Sequence, residues 1–436
     1  MKGYKTLVPI ALVVCLLLSF YMLVNTRSST KAEYESYLAA ARNYAKQGIV
    51  VDAVVNYSKA LAMEESIEIN LEVGNLYVEM DDNVASIIWG EQMVEKFPNS
   101  PQAYEFLLTR YRNVNDFNRC FALYDVINKK ELHTPEIIKI MDDIKYQYYY
   151  GEGYDDVSVY SEGYCAVEYE GTWGLANEHG ETVSPMVFEK VGPFIDGLSP
   201  VISTDDEVYY VDYEGNKKMI IMVDFEVADA SSVVGDVYAI KDGESWAFFN
   251  KKYEKLSGDY EAVSLMANGV AAVKSNDKWE IVDKSFKPLF DKKYMDVIQD
   301  DRGIILRNNV MFVNEGDQYY MIDGTGKKIG TDTYEDAHLF MDTTYAAVKT
   351  EKGWTFIDSS GKIVFSDLYF DDARSFSNGF AAVKKNGRWG YLDIDGNVAI
   401  DFLFEEAKDF NPSGCAFIKN EDFWQMIRLY SLNYET

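Results

Sequence analysis

An aromatic residue returns about every 35 positions through the last two thirds of this chain, and that period constrains the fold more than any other feature. Trp173, Tyr210, Trp246, Trp279, Tyr320, Trp354, Trp389 and Trp424 stand 37, 36, 33, 41, 34, 35 and 35 residues apart. Six of the seven tryptophans in the chain fall on this register, too regular a pattern for chance. A second aromatic opens each interval: Tyr154, Phe188, Phe225, Tyr260, Tyr294, Tyr334, Phe370 and Phe404. The clearest interval, residues 370–397, reads as a β-meander. Ala381–Lys385 is an apolar strand, Asn386-Gly387 a hairpin signal, Trp389–Ile394 an alternating strand, and Asp395-Gly396 a turn into Val398–Phe402. A meander this short cannot bury both faces alone, so eight such units must stack, radially as a propeller or linearly as a β-solenoid. The last unit ends soon after Trp424, so residues 154–160 are expected to complete it, closing the array and removing an exposed edge. The recurring aromatics are then anchors of the core between units, not a ligand platform.

In the best unit the motif comprises Gly379, Ala382, Val383, Trp389, Gly390, Asp393 and Gly396; in the first it comprises Gly163, Ala166, Val167, Trp173, Gly174 and Gly180. This pattern resembles the WG-repeat family of bacterial proteins. Tyr replaces Trp at Tyr210 and Tyr320, and Gly follows the aromatic only at Gly174 and Gly390. The resemblance implies a bacterial origin and a binding or structural module without a defined chemistry; a place in the cell envelope is expected from the apolar N-terminal segment alone.

Upstream, residues 31–147 carry apolar and small residues at helical spacing. Tyr44, Tyr77 and Tyr111 lie 33 and 34 residues apart, and each sits in a similar setting of small and large side chains. The segment resembles degenerate tetratricopeptide repeats: three helix pairs and a trailing helix from Pro135. Such an array is either a peptide-binding groove, with Tyr37, Tyr44, Asn70, Tyr77, Tyr104 and Tyr111 as candidate groove residues, or a rigid stalk.

Leu7 to Val24 is almost uninterrupted apolar sequence preceded by Lys2 and Lys5. Eighteen helical residues span roughly 27 Å, close to the hydrocarbon thickness of a bilayer. With no small-x-small cleavage pattern before Asn25, residues 1–30 are expected to hold an uncleaved signal anchor. The basic residues before it predict the bulk of the chain outside the cytoplasm. The fold class expected is therefore α+β multidomain: a transmembrane helix at 1–30, a helical superhelix at 31–147 and an all-β ring at 148–436.

The net charge of −29 is concentrated in the β region, where 27 basic residues face 52 acidic ones. A surface so acidic repels phosphate backbones, which excludes nucleic acid as a partner. The acid pairs Asp155-Asp156, Asp205-Asp206, Asp300-Asp301, Glu335-Asp336, Asp371-Asp372 and Glu405-Glu406 read as solvated turns, since no calcium-loop pattern accompanies them. The four cysteines have no metal-ligand spacing. Cys165 and Cys415 occupy equivalent places in the first and last units, where sulfur geometry does not favour a disulfide. The three histidines, His133, His179 and His338, have no recurring partner, and no nucleophile elbow or phosphate-cradling loop occurs. No cofactor, metal or enzyme activity is expected. The functional expectation is a membrane-anchored protein-interaction scaffold, with a carbohydrate- or cell-wall-binding module as the alternative.

Overall fold

The computed structural model describes residues 30–432; the apolar segment 7–24, read above as an anchor, lies outside them. Among the described residues no helix is long and apolar enough to cross a membrane. The chain divides into two compact units, one ending at Gln147 and the other beginning at Tyr148.

The first unit is helical: residues 30–46 (α1), Val50–Met63 (α2), Ile67–Glu79 (α3), Asn83–Lys96 (α4), Pro101–Asn113 (α5), Phe117–Lys130 (α6) and Pro135–Ile144 (α7). Polar caps start several of them. Ser66, Asp82, Asp116 and Thr134 each accept the N–H three residues on, which satisfies one orphan donor of a first turn. Helix α5 touches α3 and α7 as well as its chain neighbours. Small residues permit this nesting: a Cβ on Gly74 would come within 2.7 Å of the Phe106 ring. Arg42, Tyr57 and Glu72 tie α1, α2 and α3 together, with the Arg42 guanidinium forked onto Glu72 at 2.6 and 2.9 Å.

The second unit is a succession of eight antiparallel meanders. In unit 7 the strands Asp372–Ala373, Phe380–Lys385, Arg388–Asp393 and Val398–Phe404 are neighbours in that order. A single residue, Glu405, separates the last strand from Glu406–Ala407, the first strand of unit 8. The opening aromatic therefore belongs to the edge of one sheet while its ring packs into the next. Phe370 illustrates this, buried with Trp354 and Phe356 of unit 6 and Ala373, Phe376 and Val383 of unit 7.

Two of the expected anchors are out of register. Seven units carry an Asp or Asn four residues after the anchor whose Oδ1 accepts the backbone N–H groups two and four residues on: Asn177, Asp212, Asn250, Asp283, Asp323, Asp358 and Asp393. Counting back four from Asp212 and Asp323 gives Val208 and Tyr319, in place of Tyr210 and Tyr320. The ladders agree for unit 5, because Tyr319 pairs with the opening aromatic Tyr334 as Trp389 does with Phe404. The opening position of unit 3 is likewise Val227, not Phe225. Ala228 N donates to Lys241 O, the bond that Asp371 N makes to Lys384 O in unit 7.

The ends of the array meet. Strand Tyr148–Tyr154 pairs antiparallel with Phe423–Leu429 of unit 8, so the completing strand lies just upstream of the expected 154–160. Tyr154 pairs with Trp424, as each opening aromatic elsewhere pairs with the preceding anchor. Tyr154, Val157, Cys165 and Val167 of unit 1 share one core with Cys415, Phe417, Trp424 and Met426 of unit 8. No sheet closes into a barrel among the described residues; the closure is between units, as in a propeller. Cys165 and Cys415 carry free, buried thiols.

Candidate functional site

The short first strand of each unit faces the axis of the array, and residue types there are not uniform. Four positions after the opening residue stand Ser158, Gly192, Ser231, Ser264, Ile298, His338, Arg374 and Lys408. Polar bulk is confined to units 6, 7 and 8. His338 stacks on the Trp354 indole with ring centroids 5.0 Å apart. Burial first, and then the nearby Arg374, hold its imidazole below the usual histidine range.

Unit 5 supplies the opposing groups through an insertion. From opening residue to the first residue of the bridge that closes the first hairpin is seven residues in units 1, 2, 3, 4 and 7, but thirteen in unit 5, where the bridge is Arg307–Val310. The six extra residues explain the long spacing seen in the sequence. They fold by the same device as the outer turns: Asp300 Oδ1 accepts the N–H groups of Arg302 and Ile304 at 3.0 and 2.9 Å. Asp300 is not a solvated turn residue as expected, since its side chain is 2% exposed and paired with Arg307 at 2.6 Å.

The inserted loop crosses the axis. On one side Ile304 packs on Leu265 and Ala267 of unit 4, with Ile195 of unit 2 and Val234 of unit 3 against the same cluster. On the other, Asp301 accepts from Arg374 of unit 7 at 2.6 Å, and Arg374 also forks onto Asp409 of unit 8 at 2.7 and 3.1 Å. This loop, a plug between the units it touches, borders a pocket of about 250 Å³, lined among others by Ser158, Arg302, Lys408, Asp409 and Asn411. Burial raises the Asp301 carboxyl, but Arg374 outweighs it and holds the group below the ordinary carboxylate range. None of these residues belongs to the recurring motif; the sequence marks the place only by the spacing of 41 and by the Asp300-Asp301 pair, which reads there as a solvated turn.

A second concavity lies beside unit 3. The outer ladder of unit 2 stops at Tyr209–Ile220, short of Val208, and residues 221–227 leave the sheet. Both aromatic anchors of this joint are valines. The departing segment exposes Met222 and Phe225 and walls a groove of about 590 Å³ floored by Ile240, Ala247 and Phe249. Asp224, Asp242 and Asp259 rim it against one cation, Lys255, which is paired with Asp259.

The residues expected to act elsewhere have structural places. Trp173 and Trp246 are half-buried, and Trp279, Trp354, Trp389 and Trp424 are buried between units. Tyr210 is fully buried, its hydroxyl donating to Ser231 O, and Tyr320 is half-buried against the core of units 4 and 5. In the helical unit Asn70, Tyr104 and Tyr111 are buried, with their polar ends engaged by Ser66 O, Pro98 O and Glu91 respectively. They are core residues and offer no groove surface. Tyr37, Tyr44 and Tyr77 are half-buried, Tyr37 bonded to Glu33 and Tyr77 packed on Trp89. The first acid of several pairs caps a hairpin turn: Asp155 accepts Glu170 N and Asp371 accepts Gly387 N. Among the described residues no cluster of His, Cys, Asp and Glu is arranged for a metal ion.

The family model described as "WG containing repeat" matches residues 153–173, 173–202, 256–279, 354–389 and 389–424. Its matched segments begin or end at Trp173, Trp279, Trp354, Trp389 and Trp424, the anchors found by strand pairing. Five segments of the β region match the WG repeat. The unmatched stretches are instructive: residues 203–255 hold the valine joint and groove, and 280–353 hold the plug. No curated protein sequence matches the chain. Solved structures similar to it include a eukaryotic initiation factor (11% identity, 66% of this chain and 88% of that one, TM-score 0.42). Others are Kluyveromyces lactis Hsv2 (12%, 64% and 98%, 0.35) and the Myceliophteria thermophila Cps50 (Swd1) β-propeller domain (10%, 64% and 98%, 0.34). These likenesses are slight, and the propeller-like reading rests on the strand pairing of the units themselves.

Proposed function

We propose that this chain is a membrane-anchored, extracytoplasmic interaction scaffold, without catalysis of its own, whose β-ring holds an extended polypeptide segment carrying basic and apolar side chains. The groove beside unit 3 carries the reading. It exists because the joint between units 2 and 3 lacks both aromatics, and its exposed Met222 and Phe225 offer apolar surface for side chains to bury. Its rim of Asp224, Asp242 and Asp259 against the single paired Lys255 favours lysine or arginine on the occupant. The apolar segment 7–24 would tether the scaffold, and the helical unit would present a further surface or act as a stalk.

The polysaccharide reading has less behind it. A glycan platform needs clustered exposed aromatics, whereas among the described residues Tyr150, Tyr169, Phe225 and Phe423 are the exposed ones, and of these only Tyr150 and Phe423 lie on strands that pair with each other.

The test is fluorescence anisotropy with the full chain in detergent and labelled peptides alternating leucine with lysine or with glutamate. Saturable binding of the lysine peptide alone is expected. Filling the joint with Val208→Trp and Val227→Phe should weaken it by about tenfold or more, the scale of losing one well-buried anchor. Equal binding by the filled variant, or of the glutamate peptide, would overturn the reading. Carbonate washing of membranes tests the anchor separately: release of the full chain into the supernatant refutes it.

A further inference from the structure

We propose that the axial pocket beneath the plug binds a small anion, a phosphate or carboxylate group, held between the Lys408 ammonium and the Arg302 guanidinium. Among the described residues, ion pairing around the pocket leaves Lys408 without a carboxylate partner and Arg302 with only a shared one. Arg374 is engaged by Asp301 at 2.6 Å and Asp409 at 2.7 Å, and Arg307 by Asp300 at 2.6 Å. Arg302 reaches only that already occupied Asp300, at 3.5 Å. Lys408 has no carboxylate within ion-pair distance; its Nζ lies 4.9 Å from the centre of the Trp424 ring, a contact that positions the stem without neutralising the charge. Asp156, Asp301 and Asp409 act on it only through space.

The two acids on the pocket wall do not fill the gap. Asp409 is taken by Arg374, and Glu162 is spent on the backbone N–H groups of Asp196 and Gly197 and on the Tyr213 hydroxyl. Burial penalises the Lys408 ammonium and lowers its pKa, so the site as it stands carries a cost that a bound anion would offset. Leftover cationic groups in a chain of net charge −29 are not explained by the surface composition. The loop that brings Arg302 here occurs in one unit of eight, which separates the pocket from the requirements of the fold. Asn378 and Asn411 donate to the carbonyls of Phe410 and Glu178 and thereby stiffen the wall opposite the plug.

Isothermal titration calorimetry of the full chain in detergent, with inorganic phosphate and separately with acetate at constant ionic strength, tests this. Saturable binding of at least one is expected, and which one binds distinguishes a phosphate-bearing from a carboxylate-bearing ligand. Lys408→Met and Arg302→Gln should each weaken it by about tenfold, the scale of one charge-assisted hydrogen bond. Lys419→Met, which alters the other lysine near Trp424, should leave it unchanged. Circular dichroism establishes that the variants fold; should Lys408→Met fail, Arg302→Gln alone decides, because its side chain lies on the inserted loop. No saturable heat with either anion up to millimolar concentration, or equal affinity in the folded variants, overturns the proposal.

Discussion

The guanidinium of Arg374 lies 2.6 Å from the carboxylate of Asp301, although 73 residues and the whole of unit 6 separate them. That span is possible only where units converge on an axis. The pair latches the plug, while Asp409 holds the same guanidinium from the other side.

Replacing Arg374 by Met should therefore cost about 3 kcal/mol, because a buried carboxylate, Asp409, loses its partner. Asp301→Asn should cost about 1 kcal/mol or less, since that side chain is 50% exposed. Denaturant midpoints of the two variants measure both, and equal losses would refute a latch centred on Arg374.

Acid should loosen the outer turns. Burial raises the Asp212 carboxyl, but Lys218 at 2.8 Å and the N–H groups of Asn216 and Glu214 prevail and lower it to about 2. An unfolded aspartate titrates near about 4, so this group stabilises the fold above that pH and the contribution disappears as pH falls toward about 2. Asp323 and Asp358 are lowered in the same direction. Asp212→Asn keeps the turn, as Asn177 and Asn250 do naturally, and should flatten the fall in melting temperature between neutral and acid pH. An unchanged slope would refute the assignment.

The glycine after the anchor has a steric cause in unit 7. A Cβ on Gly390 would stand 2.6 Å from Ile400 O and 2.8 Å from Asp401 O, backbone atoms that cannot swing aside. Gly390→Ala should cost about 1–3 kcal/mol by overpacking. At Gly379 space is open and only its φ of +84° opposes a side chain, so Gly379→Ala should cost about 1 kcal/mol. Thermal unfolding ranks the two, and the reverse order would contradict the close approach.

Closure predicts that the joint between the chain ends is as strong as an interior one. Tyr154→Ala and Phe370→Ala should destabilise alike, by about 3–5 kcal/mol each. A near-neutral Tyr154→Ala, measured by urea unfolding, would mean that units 1 and 8 do not share a core.

What the sequence determined by itself was everything that repeats: the unit length, the aromatic at each joint, and the hairpin turns. Those features are local, and each recurs often enough to be read against its copies. Where the copies degenerate the register slipped. Tyr209-Tyr210 and Tyr319-Tyr320 offer adjacent aromatics, and the turn residues Asp212 and Asp323, four positions downstream of the anchor, settle which position is homologous, with the ladder of unit 5 in agreement. The buried places of Asn70, Tyr104 and Tyr111 were hidden for a related reason, since a helical period marks the packed face but not whether a polar tip on it is free. Tertiary structure alone decided the plug, the charge cluster and the open joint. Each depends on residues brought together across the ring or left without a partner, and no local pattern encodes which unit a side chain will meet on the far side of an axis.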